Sequence, residues 1–222
     1  LRCIICRLPV KLVWGICSQC YQLLPKLISV CKKCGLPLFP ANKSCHHCLK
    51  ILPNWDNLIA VGDYEQPYTK WIYQLKFNQH TELAYPLARL MLLAWFNARN
   101  LYGLKKPAIV TCIPLHHHRY WSRGYNQSQL LARLIAHWLG AEWLPYLIKR
   151  NKNTIDQKIL SKQRRKGNIE NVFNCNKQLH GKTIAVIDDI VTTGYTVQAA
   201  CHQLKQQGAG EIQIICLCRT SL

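Results

Sequence analysis

The sequence predicts an α/β fold, a parallel sheet with helices on both faces, carrying a small cysteine-rich module at its N-terminus. Three observations support this. From residue 55 onward, short apolar β-branched runs alternate with helical patterns, as strands joined by helical crossovers do. Before residue 52, eight cysteines form four Cys-x-x-Cys pairs. Residues 183–196 then place a buried-strand run, two adjacent carboxylates and a hydroxyl-rich turn directly in front of a helix.

The cysteine pairs come first in the chain: Cys3/Cys6, Cys17/Cys20, Cys31/Cys34 and Cys45/Cys48, each beginning fourteen residues after the last. Two thiolates separated by two residues grip one ion from a tight turn, and two such knuckles complete a tetrahedral Cys₄ site. Eight ligands therefore imply two structural Zn²⁺ ions with no coordination position open to water. Consecutive pairing of the knuckles fits the regular spacing best, and an interleaved pairing satisfies it too. A redox Cys-x-x-Cys site uses a single pair at a helix start, which four pairs in series do not resemble. Cys112, Cys175, Cys201, Cys216 and Cys218 lack such spacing and read as small core residues. Pro53 and Asn54 mark a junction, so the expected domains are 1–52, a double zinc ribbon, and 53–222, the α/β domain.

Within the larger domain, residues 58–61 read as a strand, and Tyr68–Phe77 and residues 86–99 as helices, the second with Pro86 in its first turn. Residues 108–113 form an apolar strand that Pro114 stops. Gln127–Leu139 is an amphipathic helix, and residues 184–187 and 212–217 supply two more strands. The polar stretch 148–173 reads as a mobile basic arm near the same rim, or as a solvated helix.

The chemistry gathers where strands end. Asp188 and Asp189 close the run 184–187, and open parallel sheets bind ligands at that edge. Carboxylates accept hydrogen bonds from vicinal ribose hydroxyls. The turn Thr192, Thr193, Gly194, Tyr195, Thr196 offers backbone N–H groups and three threonine hydroxyls to a phosphate at the next helix's positive end. An ordinary helix cap is the plainer reading of Thr-Thr-Gly, but it leaves two like charges side by side with nothing to accept them. Arg119 and Arg123, after the strand 108–113, reach the same edge, where guanidinium forks suit pyrophosphate oxygens. The run His116, His117, His118 reads as a solvated loop, since three adjacent side chains diverge.

The charge is uneven. The formal net charge is +19, residues 1–55 contain no Asp or Glu, and residues 149–166 carry eight Lys or Arg against Asp156 alone. Such a field concentrates polyanions, and phosphate neutralisation supplies most non-specific nucleic-acid binding. A solvated basic surface or an anionic membrane contact accounts for the same charge. Trp and Tyr rings that are not in the core would serve as stacking faces for unpaired bases. No stretch is apolar enough to span a bilayer: residues 87–96 are broken by Arg89. No signal-peptide pattern opens the chain, so a cytoplasmic protein is expected.

The acidic pair and its turn resemble the 5-phosphoribosyl-1-pyrophosphate (PRPP) motif of the type I phosphoribosyltransferases. Taken with Tyr64, the run Gln74-Leu75-Lys76-Phe77, Ile113-Pro114-Leu115, Arg123-Gly124-Tyr125-Asn126-Gln127, Gln157, Leu160, Arg165, Asn168, Phe173 and Cys216-Leu217-Cys218-Arg219-Thr220, the whole chain resembles the ComF family, including its GntX-type members. These proteins belong to bacterial natural transformation and DNA utilisation. The resemblance implies a double zinc ribbon joined to a type I phosphoribosyltransferase-like domain that handles incoming single-stranded DNA. It also implies a helicase-like cytosolic partner and a peripheral place at the inner face of the membrane. Carried onto this chain, the sugar-phosphate motif falls on Asp188, Asp189, Thr192, Thr193, Gly194, Tyr195 and Thr196, and the pyrophosphate loop on residues 115–123. Tyr195 departs from the smaller residue usual there, so its side chain must point away from the phosphate.

Two functions fit these residues. In one, a DNA-uptake factor holds single strands and binds PRPP or another phosphorylated ribose. In the other, an active phosphoribosyltransferase moves ribose 5-phosphate from PRPP to an amine or base, with Mg²⁺ neutralising the pyrophosphate and Arg119, Arg123 and Arg165 holding it. No segment identifies an acceptor.

Overall fold

The computed structural model describes residues 2–10, 15–27, 29–38, 45–50, 52–151 and 172–220. The chain builds one five-stranded sheet in the order β1 (Asn57–Gly62), β7 (Ile212–Arg219), β6 (Ile184–Val191), β2 (Ile109–Cys112), β3 (Glu142–Trp143). Every pairing in it is parallel. Helices α3 (Tyr68–Phe77) and α4 (Ala84–Tyr102) lead from β1 to β2, and α5 (His117–Arg123) and α6 (Gln127–Leu139) from β2 to β3. The last crossover, α7 (Tyr195–Gln206), joins β6 to β7. Two short helices in the cysteine module, α1 (Ser18–Leu23) and α2 (His46–Lys50), precede them all.

A strand buried on both faces has no polar side to show, which is why β6 and β7 read as continuous apolar runs. Their side chains divide by alternation. Ala185, Ile187, Ile215 and Leu217 pack with α4 and α6, whereas Ile184, Val186, Ile212, Ile214 and Cys216 pack with α7. A long polar side chain in the middle of this core, Gln213, is satisfied: its Oε1 accepts from Trp95 Nε1 at 2.7 Å. Helix ends follow their residues as well. Asn126 caps α6 by accepting from the Ser128 N–H at 3.0 Å, and Gly103 and Gly140 close α4 and α6 in the left-handed conformation. The five cysteines outside the Cys-x-x-Cys pairs are all buried.

Two segments differ from the sequence reading. The strand expected to stop at Ile187 runs on to Val191, because β7 continues to pair with it as far as Arg219. The histidine run opens a helix, α5, rather than a loop. The basic stretch begins and ends in an antiparallel pair, β4 (Lys149–Arg150) with β5 (Phe173–Asn174); the arm expected between them, residues 152–171 with Arg165, lies outside the described residues.

The order of the strands sets the functional edge. From β2 the chain moves outward to β3 with α6 on one face, and from β6 it moves the other way to β7 with α7 on the opposite face. The loops after β2 and β6 therefore diverge and leave a crevice at the carboxyl ends of these two neighbours. No helix among the described residues is long and apolar enough to cross a membrane.

Candidate functional site

β2 ends at Cys112 opposite Ile187, so beyond that point one edge of β6 faces the loop following β2 instead of a strand. Asp188 and Asp189 occupy that edge, and the loop brings donors to them. Asp189 is 4% exposed and fully engaged: its Oδ2 accepts from Lys76 Nζ at 2.6 Å and Gln127 Nε2 at 3.1 Å, and its Oδ1 from the Ile190 N–H at 2.8 Å. Asp188 is half-buried and less committed. Its Oδ1 accepts from Ser128 Oγ at 3.0 Å and the Asp189 N–H at 2.9 Å, and Oδ2 has no recorded partner among the described residues. The two carboxylates are therefore unequal, with Asp188 presenting an acceptor and Asp189 anchoring the edge.

Burial, and then the neighbouring charge of Asp189, push the Asp188 carboxyl up from 3.8 to about 8, against the pull of the Asp189 N–H, Ser128 and Lys76. Folded Asp188 thus holds a proton that the unfolded chain has lost. Its contribution to stability is full below about pH 4 and is lost as pH rises through about 8.

Beyond Val191 the chain turns through Thr192 and Thr193, both exposed, to Gly194, which adopts φ +81° as the cap of α7. A Cβ on Gly194 would lie 3.4 Å from the Trp55 ring. The first backbone N–H of α7 with a recorded backbone acceptor is that of Gln198, which donates to Gly194 O at 2.8 Å. The N–H groups of Tyr195, Thr196 and Val197 have no such acceptor among the described residues, and Tyr195 and Thr196 are exposed. N–H groups without a backbone acceptor and the exposed residues Thr192, Thr193 and Thr196 thus follow the end of the strand that carries Asp188.

A further layer comes from α3 and α5. Tyr125 OH donates to Leu75 O, tying the loop after β2 to α3 and setting Lys76 beside Asp189. Arg123 donates from Nη1 to Gln127 Oε1 at 3.2 Å and lies over the Phe77 ring at 4.8 Å. Phe77 and Tyr73, both more than half exposed, form a ring pair 5.0 Å apart. Arg119 belongs to α5, and its side chain is outside the described residues. Lys76, Gln127 and Ser128 were given no role by sequence reasoning. Their signal was present in one form, since a carboxylate pair requires compensating donors, but nothing local says which ones.

The cysteine module forms two clusters, Cys3, Cys6, Cys17, Cys20 and Cys31, Cys34, Cys45, Cys48, with all ligand atoms of each within 4.8 Å of one another. The pairing is consecutive. Sulfur separations of 3.8 Å for Cys6 to Cys17, 3.8 Å for Cys31 to Cys48 and 3.5 Å for Cys34 to Cys45 bracket the value for tetrahedral zinc. Zn–S bonds of about 2.3 Å put the sulfurs about 3.8 Å apart. Burial and neighbouring sulfurs push Cys20 up to about 12, and burial above all raises Cys34 to about 12, so four thiolates this close require a cation to ionise together. Each cluster can hold one zinc ion.

The model of the family "Phosphoribosyl transferase domain" matches residues 143–221. The DNA utilization protein YhgH of Salmonella typhimurium is 41% identical over 219 residues, covering 98% of this chain and 96% of the relative. YhgH of Escherichia coli K12 is 39% identical over the same shares, and competence protein F of Haemophilus influenzae is 35% identical over 222 residues, 98% of this chain and 96% of that protein. Among solved structures, a purine phosphoribosyltransferase from Pyrococcus horikoshii aligns at 18% identity and TM-score 0.38, over 61% of this chain and 76% of that one. An adenine phosphoribosyltransferase from Saccharomyces cerevisiae aligns at 14% identity and TM-score 0.35, over 58% and 63%.

Proposed function

The chain belongs to the ComF family, that of the YhgH DNA utilization proteins and competence protein F, and on that premise we propose that it handles incoming single-stranded DNA on the cytoplasmic side of the membrane, with a sugar-phosphate pocket that binds PRPP. The observation that carries the pocket is the pairing of an open carboxylate oxygen on Asp188 with the N–H cradle at residues 192–197. Asp188 accepts the ribose hydroxyls, and Asp189 joins only if Lys76 or Gln127 yields. The turn holds the 5-phosphate. Arg123 is assigned to the pyrophosphate together with Arg119 and Arg165, whose role rests on the sequence alone, and Mg²⁺ accompanies it. The remote parts of the family reading, a helicase-like partner and a peripheral place on the inner membrane, belong to the same proposal.

The ionised form of Asp188 is the one that accepts a diol or sits beside a cation, so binding should draw its proton off. Titration calorimetry of PRPP with Mg²⁺ near pH 7, in buffers of different ionisation enthalpy, is expected to show release of close to one proton per site. An enthalpy independent of buffer would contradict this.

The strand-binding half rests on the +19 charge and on rings at the pocket's rim, where Phe77, Tyr73 and Arg123 offer a stacking face to an unpaired base. For about five phosphate contacts, raising salt from about 50 to 200 mM lowers affinity about 100-fold. Anisotropy with a labelled oligonucleotide reads this directly. A flat salt response would remove the electrostatic basis.

An active phosphoribosyltransferase is the second reading, favoured by the family model across residues 143–221. Release of pyrophosphate from PRPP in the presence of amine or base acceptors separates it from a binding module.

A further inference from the structure

We propose that the second cysteine cluster, Cys31, Cys34, Cys45 and Cys48, is a working part of the sugar-phosphate pocket: Arg219 and Trp55 tie the backbone of its Cys31/Cys34 knuckle to the turn at residues 192–194, so the turn keeps its shape only while that cluster is folded around its metal. This rests on the sugar-phosphate reading of the turn.

Arg219, the last residue of β7, is 2% exposed. Its Nε donates to Cys34 O at 2.9 Å, and its Nη1 donates to Val191 O at 3.1 Å, Thr220 O at 3.2 Å and Thr192 O. Among these recorded partners there is no carboxylate. A buried guanidinium held by carbonyl dipoles requires each of them, because any donor left unpaired carries the full cost of desolvation. One of those carbonyls belongs to a metal-ligating residue, and another opens the phosphate turn. A zinc tetrathiolate is net negative, so the loaded knuckle also favours the charge of Arg219.

Trp55 forms the second strut. It is 6% exposed, donates from Nε1 to Lys33 O at 2.6 Å, and its ring lies under Gly194. The preceding carbonyl, Lys32 O, accepts from the Leu58 N–H at 2.9 Å at the edge of β1. Three successive knuckle residues therefore bond the α/β domain. Gly35 completes the seat: at φ +71°, a Cβ there would lie 2.6 Å from Leu58 Cδ2 and 3.4 Å from Arg219 Cγ.

The first cluster, Cys3, Cys6, Cys17 and Cys20, is attached differently. Ile4, Ile16 and Leu24 pack against the core on the α4 side, Tyr68 OH donates to Pro25 O at 2.8 Å, and a Cβ on Gly15 would meet Pro86. Among the described residues, no hydrogen bond joins that cluster to residues 192–197. Arg219 and Trp55 are thus positioning residues, and among the described residues their bonds couple the second metal site to the turn.

Amide hydrogen exchange on the full zinc-loaded chain tests this, with zinc content measured for every variant. Exchange of the Gln198 and Thr220 amides, which bond Gly194 O and Val191 O at the two ends of the turn, should rise at least tenfold in the Cys45→Ser/Cys48→Ser variant and in Arg219→Ala, and partly return in Arg219→Lys. In Cys17→Ser/Cys20→Ser it should stay within about twofold of the parent. PRPP affinity should fall as turn exchange rises. A turn unchanged by loss of the second metal, or loosened equally by loss of the first, overturns the proposal. If a second-site variant also exposes residues 185–187 in the core, Trp55→Phe decides: it removes the bond to Lys33 O together with the ring atom under Gly194 while leaving the cysteines and Arg219 in place, and unchanged turn exchange in it overturns the strut. If the parent chain binds no PRPP, the pocket reading fails on its own, and the exchange comparison still decides the coupling.

Discussion

Asp188→Asn is expected to weaken PRPP binding in the presence of Mg²⁺ by at least about 100-fold, because two charge-assisted hydrogen bonds of about 1.5 kcal/mol each are lost. The fold should survive. In the free protein the Asp188 carboxyl titrates near 8, so the neutral amide imitates the form already dominant at pH 7. At pH 8.5 the variant should be the more stable of the two, since the parent then holds an ionised carboxylate against burial and Asp189. Asp189→Asn should behave in the opposite way. It strips the 2.6 Å ion pair from Lys76, whose side chain is 17% exposed, and lowers stability by about 2 to 3 kcal/mol. Calorimetry and thermal melting of the two single variants separate these effects; equal affinity in Asp188→Asn and the parent would mean the pocket does not use this carboxylate.

Removal of zinc should have the largest effect on the fold. Each structural site supplies on the order of 10 kcal/mol of folding free energy, and a short module of knuckles has little core to replace it. Chelation should release two zinc ions per chain and abolish amide protection throughout residues 2–38. The damage should spread into the α/β domain. Leu24 and the Tyr68 to Pro25 bond leave one face of the core, and the Cys34 to Arg219 bond leaves the end of β7. A melting temperature unchanged after complete release would show that the cysteines do not hold the module together.

Most of the fold was legible because its signals are local. The apolar runs at 184–187 and 212–217 could only be strands buried on both faces, and Gln127–Leu139 carried its own cap and left-handed stop. The cysteine clusters were legible for the same reason, since ligand spacing within a knuckle is set by a few covalent bonds. Element ends were less so: β6 continues through two aspartates because β7 offers it a ladder, a fact about a strand twenty-odd residues further on. The histidine run became a helix through neighbours that three diverging side chains do not reveal. Site composition was half visible. The acidic pair and the threonine turn are contiguous, whereas Lys76, Gln127 and Ser128 arrive from other elements.

By itself, the sequence determined that eight cysteines carry zinc-ligand spacing and that an acidic strand end precedes a threonine-rich turn, because contiguous residues have nowhere else to be. Only the tertiary structure decided that Asp188 is the open carboxylate and Asp189 the anchor, since Lys76 and Gln127 choose between them across the crevice. It also decided that the second cysteine cluster is tied to the turn through Arg219 and Trp55. That choice follows from where β7 ends, with a buried arginine that needs carbonyls from both sides.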